Sequence, residues 1–213
     1  MARTPASYNR SNPRFKPQPT VLVICEDSKS GKHYLEDARL HFRVNVLVEI
    51  THCGKTDPLN IVKEAFNRQG KFDHVFCVID RDNHQNFDEA LNLANTSDKI
   101  KIIASYPCFE FWLLIHFVGY TRRPYTAAGN HSAADILIRD LRVHPDMENY
   151  DKGEDKNIFG LLLGNRFTEA RRVSPRILAD AIQSEEMNPS TKLHELFDFF
   201  EKLSSPQSNQ QVT

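Results

Sequence analysis

The four cysteines, Cys25, Cys53, Cys77 and Cys108, include no C-x-x-C pair and lie far apart. That spacing argues against a zinc ribbon or a disulfide framework and favours buried free thiols, two of them inside apolar strand-like runs. Charge of one sign is also missing. Lys and Arg number 27 against 28 Asp and Glu, so the chain does not coat a polyanion by global charge, and any such contact has to come from local patches. No stretch reaches about 18 apolar residues, and the opening MARTPASYNRSNPRFKPQPT has no apolar segment of the signal-peptide kind. Neither a membrane span nor export is expected, and a reducing cytoplasmic setting is. What is present is a chain of 213 residues, 40% hydrophobic and 26% charged, enough to bury a core without staples.

Residues 1–19 carry Arg3, Arg10, Arg14 and Lys16, four prolines and no acidic side chain, a composition that reads as a disordered basic arm. From Thr20 the pattern alternates. "TVLVIC" and "HVFCVID" are short apolar runs, "RVNVLVEITH" alternates with period two, and "KIKIIASY" is a fourth strand. Between them "SKSGKHYLEDARLHF", "DPLNIVKEAFNRQ" and "NFDEALNLAN" have helical spacing, the second with Asp57 and Pro58 as start signals. Strands alternating with such helices predict an α/β domain over 20–118 with a mostly parallel sheet of about four strands and right-handed crossovers. "PCFEFWLLIHFVGY" is apolar nearly all round from Cys108 to Val118, which marks a buried helix. Beyond Gly119 β signals fade, and "SAADILIRDLRV", "DKNIFGLLLGNRFTEARRV", "PRILADAIQSEE" and "PSTKLHELFDFFEKL" read as a helical extension over 119–203 packed on the core, before a loose tail over 204–213.

The stretch "VFCVIDRDNHQNF" ends a strand covered on both faces with two carboxylates, Asp80 and Asp82. Open parallel sheets bind ligands just past the carboxyl ends of their strands, and residues at i and i+2 of an extended chain face the same way. Glu26, followed by Asp27, ends the first strand in the same manner. Carboxylates gathered at one sheet edge repel unless a proton or a cation lies among them, and a hard divalent cation, Mg²⁺ or Mn²⁺, suits oxygen donors. Glu110 is the one charged residue of the apolar helix; it is either a member of this site or a first-turn residue favoured by the helix dipole. Lys29, Lys32 and Arg81 flank the two strand ends and are candidates to neutralise phosphate oxygens, or else plain solvated charges. Trp112 and His116 read as core residues.

"VLVICEDSKSGKHYLE", "HVFCVIDRDNHQNFDEAL", "IASYPCFEFWLLIHF" and "MNPSTKLHELF" together resemble the RloB-like family of prokaryotic proteins, of the Toprim superfamily, in order and spacing across most of 20–203. The resemblance implies a Toprim-like fold, a Mg²⁺ site on Glu26, Asp80 and Asp82, with Glu110 joining them in catalysis, and an endonuclease acting on RNA or DNA. It also implies a place in anti-phage defence beside an ATPase partner, with self-association open. The first block departs from the family pattern C-E-G-x-x-T-E: Asp27 stands where glycine is usual, and Gly31 where a second glutamate is usual. The missing oxygens would have to come from Asp27 or Glu110. Two other readings stay open: a receiver-like phosphoacceptor using Glu26, Asp27, Asp80 and Ser105, which lacks the receiver's Lys-Pro strand and gives Asp82 no role, and an inactive Toprim binding module.

Overall fold

The computed structural model describes residues 18–81, 84–153 and 157–205. A single sheet has the strand order β2-β1-β3-β4-β5, with β1 Val21–Cys25, β2 Val48–His52, β3 His74–Asp80, β4 Ile100–Tyr106 and β5 Ser190–Thr191. The first four strands are parallel, and β5 runs antiparallel on the edge, pairing Thr191 with Ser105 and Ser190 with Tyr106. The helices are α1 Ser30–His41, α2 Pro58–Arg68, α3 Phe87–Ala94, α4 Glu110–Val118, α5 Ala133–Leu141, α6 Ile158–Leu162, α7 Asn165–Gln183 and α8 Leu193–Ser204.

Every residue of β1 is buried, as expected of a strand covered on both faces. Its side chains alternate between two cores. Val21, Val23 and Cys25 join Phe76, Trp112, Phe167 and Phe197 on one face, while Leu22 and Ile24 join Ile61, Val75, Cys77 and Phe87 on the other. The first core therefore mixes strand residues with side chains of α7 and α8. Asp57 caps α2 as its sequence promises, accepting the Asn60 N–H at 2.9 Å with Pro58 in the first turn. All four cysteines are free thiols, Cys53 half-buried and the others buried. His116 is a core residue that bonds the Trp112 carbonyl from Nδ1 at 2.8 Å.

The extension differs from expectation in three places. The Ser190–Thr191 pair adds a fifth strand where the sequence suggests a helix start; two residues are too few to leave a periodic signal. "DKNIFGLLLGNRFTEARRV" is cut into α6 and α7 at Gly164, whose φ of +82° is open to glycine. Conversely, α7 runs through Pro175 and unites two segments that the sequence pattern separates. Proline removes one donor there, and the buried row Val173, Ile177, Leu178 and Ala181 outweighs that loss.

Candidate metal and phosphodiester site

Glu26 follows β1 and Asp80 ends β3, and the two strands are direct neighbours. Parallel pairing brings both carboxylates to the same sheet edge. The Asp80 main-chain N–H donates to Glu26 Oε2 at 2.9 Å, and His84 Nε2 lies 3.0 Å from Glu26 Oε1. His52, at the end of β2, bonds the Cys25 carbonyl at 3.1 Å on the same edge. Glu26 is thus held from two sides while its side chain stays 15% exposed.

Glu110 arrives from the other direction. β4 ends at Tyr106 and α4 opens at Glu110, so the helix start sits at the sheet edge where β3 also ends. Glu110 is 0% exposed. Its Oε1 accepts the Tyr150 hydroxyl at 3.0 Å and lies 3.7 Å from Lys152 Nζ. Its Oε2 is buried with no hydrogen-bond partner. A buried carboxylate oxygen left alone costs free energy, which a proton or a cation relieves.

The electrostatics tie these groups together. Burial pushes the Asp80 carboxyl well above the ordinary aspartate range; Glu110 and Glu26 push the same way, and Lys152 and the Phe109 main-chain N–H pull back. Burial also pushes the Cys108 thiol up, with Glu110 and Asp80 adding to it, which disfavours the thiolate. For Lys152 burial alone favours the neutral amine, but Glu110 and Asp80 outweigh it and hold the ammonium above its usual range. Glu110 and Glu26 thus disfavour the Asp80 carboxylate, and a positive charge placed among the three would relieve that repulsion.

Asp82 lies outside the described residues. Among the described residues no three His, Cys, Asp or Glu side chains already gather tightly enough to hold an ion. The donor set is all carboxylate oxygen and fits a hard divalent cation in chemistry, while a closed coordination shell is not formed by these side chains alone.

Asp27 has another duty. Its carboxylate accepts the N–H groups of Lys29 at 2.9 Å and Gly31 at 2.8 Å, capping the start of α1 in place of a Ser or Thr. Gly31 is buried beside the Phe109 ring, where an added Cβ would meet Asp27 and Phe109 at 3.7 Å. Of the three candidate phosphate-binding cations, Lys32 pairs with Glu36 at 2.9 Å, and Lys29 packs its stem against Gly153. Arg81 donates to the His84 carbonyl at 3.1 Å and lies 4.9 Å over the Phe87 ring. Among the described residues, a cation that the fold sets against Glu110 is Lys152, which sequence reasoning passes over. "NYDKGEDKN" mixes both charges between two helices, and nothing in it singles out one lysine. His84 is also missed, although it stands two residues past the D-x-D.

Ser105, the hydroxyl a receiver would use, is 1% exposed and bonds Thr191 of β5 at 3.0 Å. A concavity lined by His74, Phe76, Lys99, Lys101, Glu195 and Phe199 lies at the opposite end of the sheet, where β3 and β4 begin, and holds none of these carboxylates.

The family model described as RloB-like protein matches residues 21–199. No curated protein and no solved structure matches the chain. No described helix is long and apolar enough to cross a membrane.

Proposed function

The chain belongs to the RloB-like protein family, and from that premise and the carboxylate cluster we propose that it is a divalent-metal-dependent nuclease that hydrolyses phosphodiester bonds in RNA or DNA. The observation that carries this reading is the meeting of Glu26 and Asp80 at the carboxyl edge of the sheet, joined by the Asp80 N–H on Glu26 Oε2 at 2.9 Å, beside a wholly buried Glu110 with one oxygen unpartnered. Glu26, Asp80 and Asp82 would hold Mg²⁺ or Mn²⁺. When bound, the ion polarises the scissile phosphate and supplies an activated water. Glu110 serves as the proton acceptor, since its Oε2 is uncommitted. Lys152 adds positive charge at the rim where a phosphate would approach. A Toprim kinship accords with the 2-1-3-4 order of the parallel strands and with acidic residues at the ends of β1 and β3. The defence setting and an ATPase partner rest on the family alone. Against a receiver-like module stand the buried Ser105 and an antiparallel edge strand.

The test incubates purified protein with tRNA, single-stranded RNA, single-stranded DNA and plasmid, in Mn²⁺ or in EDTA, with and without a candidate ATPase. The expected result is cleavage of at least one substrate that requires the metal and is lost in Asp80→Asn and Glu26→Gln. Metal-independent cleavage, or none across the panel, would count against the proposal.

A further inference from the structure

The segment Tyr150–Gly153 belongs to the connection between α5 and α6, yet it reaches across to the carboxylates of the sheet edge. Its main chain is pinned on both sides of Lys152. Arg142 Nε donates to the Tyr150 carbonyl at 2.7 Å, and the Gly153 N–H donates to Ser30 Oγ, in the first turn of α1, at 2.7 Å. Gly153 has φ +98°, and a Cβ there would come within 2.2 Å of the Lys29 side chain, so the backbone passes where a larger residue meets Lys29 in a strained conformation.

The Lys152 side chain is held far less firmly. Its Nζ is 3.7 Å from Glu110 Oε1, well beyond the roughly 2.8 Å of a direct charge-assisted hydrogen bond. That oxygen already accepts the Tyr150 hydroxyl at 3.0 Å. The Lys152 side chain is 44% exposed although its partner is wholly buried. A fixed backbone and a loosely engaged, four-carbon stem let the ammonium leave Glu110 by rotation of its own side chain, with the strap itself staying in place.

We propose that Lys152 and a divalent cation are exchange partners at this site: the ammonium balances Glu110 and Asp80 when no ion is bound, and an arriving ion displaces it toward solvent. The inference rests on the metal-dependent reading above and adds a competition that reading does not require. Two cations cannot share these carboxylates without repelling each other across a poorly screened space. Glu110 Oε2 has no hydrogen-bond partner, so Lys152 leaves that oxygen unengaged, and a doubly charged ion is drawn to the same carboxylates more strongly than a single ammonium. Once displaced, the ammonium remains at the rim, beside the position a substrate phosphate would take.

Calorimetric titration of Mn²⁺ into metal-free protein at low ionic strength tests the exchange without any nucleic acid. Lys152→Met should bind Mn²⁺ about tenfold more tightly than wild type, a change of about 1.4 kcal/mol, and Lys152→Arg should stay near wild type because it keeps the charge. Lys152→Gln, which retains a polar stem, serves as the second neutral variant, and circular dichroism checks that both are folded. Neutral variants that bind Mn²⁺ no more tightly than wild type overturn the exchange, and so do neutral variants that fail to fold, which would make Lys152 a structural counter-ion. Wild-type protein that binds no Mn²⁺ sinks the metal reading itself; wild-type binding without tightening in the variants sinks the exchange alone.

Discussion

The carboxylate that follows β1 is bonded to the backbone of the residue that ends β3: the Asp80 N–H reaches Glu26 Oε2 at 2.9 Å. Glu26 is therefore fixed relative to Asp80 by the strand pairing itself, before any ion is present. One oxygen of Glu26 orders the site, and the other meets His84 at 3.0 Å. Under the proposed function, a cation bound at Glu26 would share that carboxylate with both partners, and its affinity should then respond to substitution of His84.

Asp80 should destabilise the metal-free fold at neutral pH. Its folded pKa is raised, so the native state binds more protons than the unfolded chain, and stability falls as pH rises from the ordinary aspartate value near 3.9 through the raised one. In EDTA, Asp80→Asn should melt at or above the wild-type temperature at pH 7.5, with a flatter pH dependence between pH 4 and 7.5. Adding Mn²⁺ should raise the melting temperature of wild type and leave the variant unmoved. A variant strongly destabilised in EDTA would make Asp80 a structural cap.

Glu110→Gln separates chemistry from architecture. The amide keeps the volume and can still accept the Tyr150 hydroxyl that now reaches Oε1. Nuclease activity should drop by at least about 100-fold, the scale of a lost acid–base group, while stability changes by no more than about 1 kcal/mol. Denaturant melts beside a cleavage assay decide it: intact activity with a loss of about 2 kcal/mol would mark a purely structural residue.

His116 supplies an acid-side prediction. Burial lowers its pKa from 6.5 to about 4, so the unfolded chain binds the proton first and stability is lost as pH falls from 6.5 toward 4. Every tenfold difference in proton affinity between the folded and unfolded chain corresponds to about 1.4 kcal/mol. His116→Gln should weaken the fold at pH 7, where the Trp112 and Tyr34 contacts are lost, but should show a shallower loss of stability between pH 6.5 and 4. An equally steep decline in the variant would assign the acid sensitivity elsewhere.

Gly31→Ala tests whether the departure from the family pattern is forced by space. The added Cβ would sit 3.7 Å from its neighbours, an ordinary contact, inside the first turn of α1. Thermal melts should show a gain of up to about 0.5–1 kcal/mol, the helix preference for alanine over glycine. A loss above about 1 kcal/mol would mean that Phe109 and Asp27 cannot yield.

The sheet was legible because β1 and β3 are continuous apolar runs and Asp57-Pro58 announces a helix. Glu26, Asp80 and Glu110 stand out in the sequence as candidates because the first two end apolar runs with a charge and the third breaks one. β5 was not, since two residues carry no period and its pairing with β4 joins positions 86 apart, Ser105 and Thr191. Lys152 was hidden for the same reason: what sets it apart is the Tyr150 and Gly153 anchoring, and those bonds span 40 and 123 residues. Local pattern finds residues that break a pattern and misses residues that only the tertiary path delivers. Pro175 shows the converse, a strong local break that packing overrides.

The apolar helix α4 has a consequence for how the chain is made. Trp112 meets Phe167 of α7 and Phe197 of α8, and α5 and α7 pack against the same helix. On a ribosome, where the chain emerges at roughly 5–20 residues per second, α4 is complete several seconds before α8 is available to cover it. A nascent chain in that interval displays a strongly apolar helix uncovered, which predisposes it to chaperone capture and makes premature termination before α8 more damaging than the short missing length suggests.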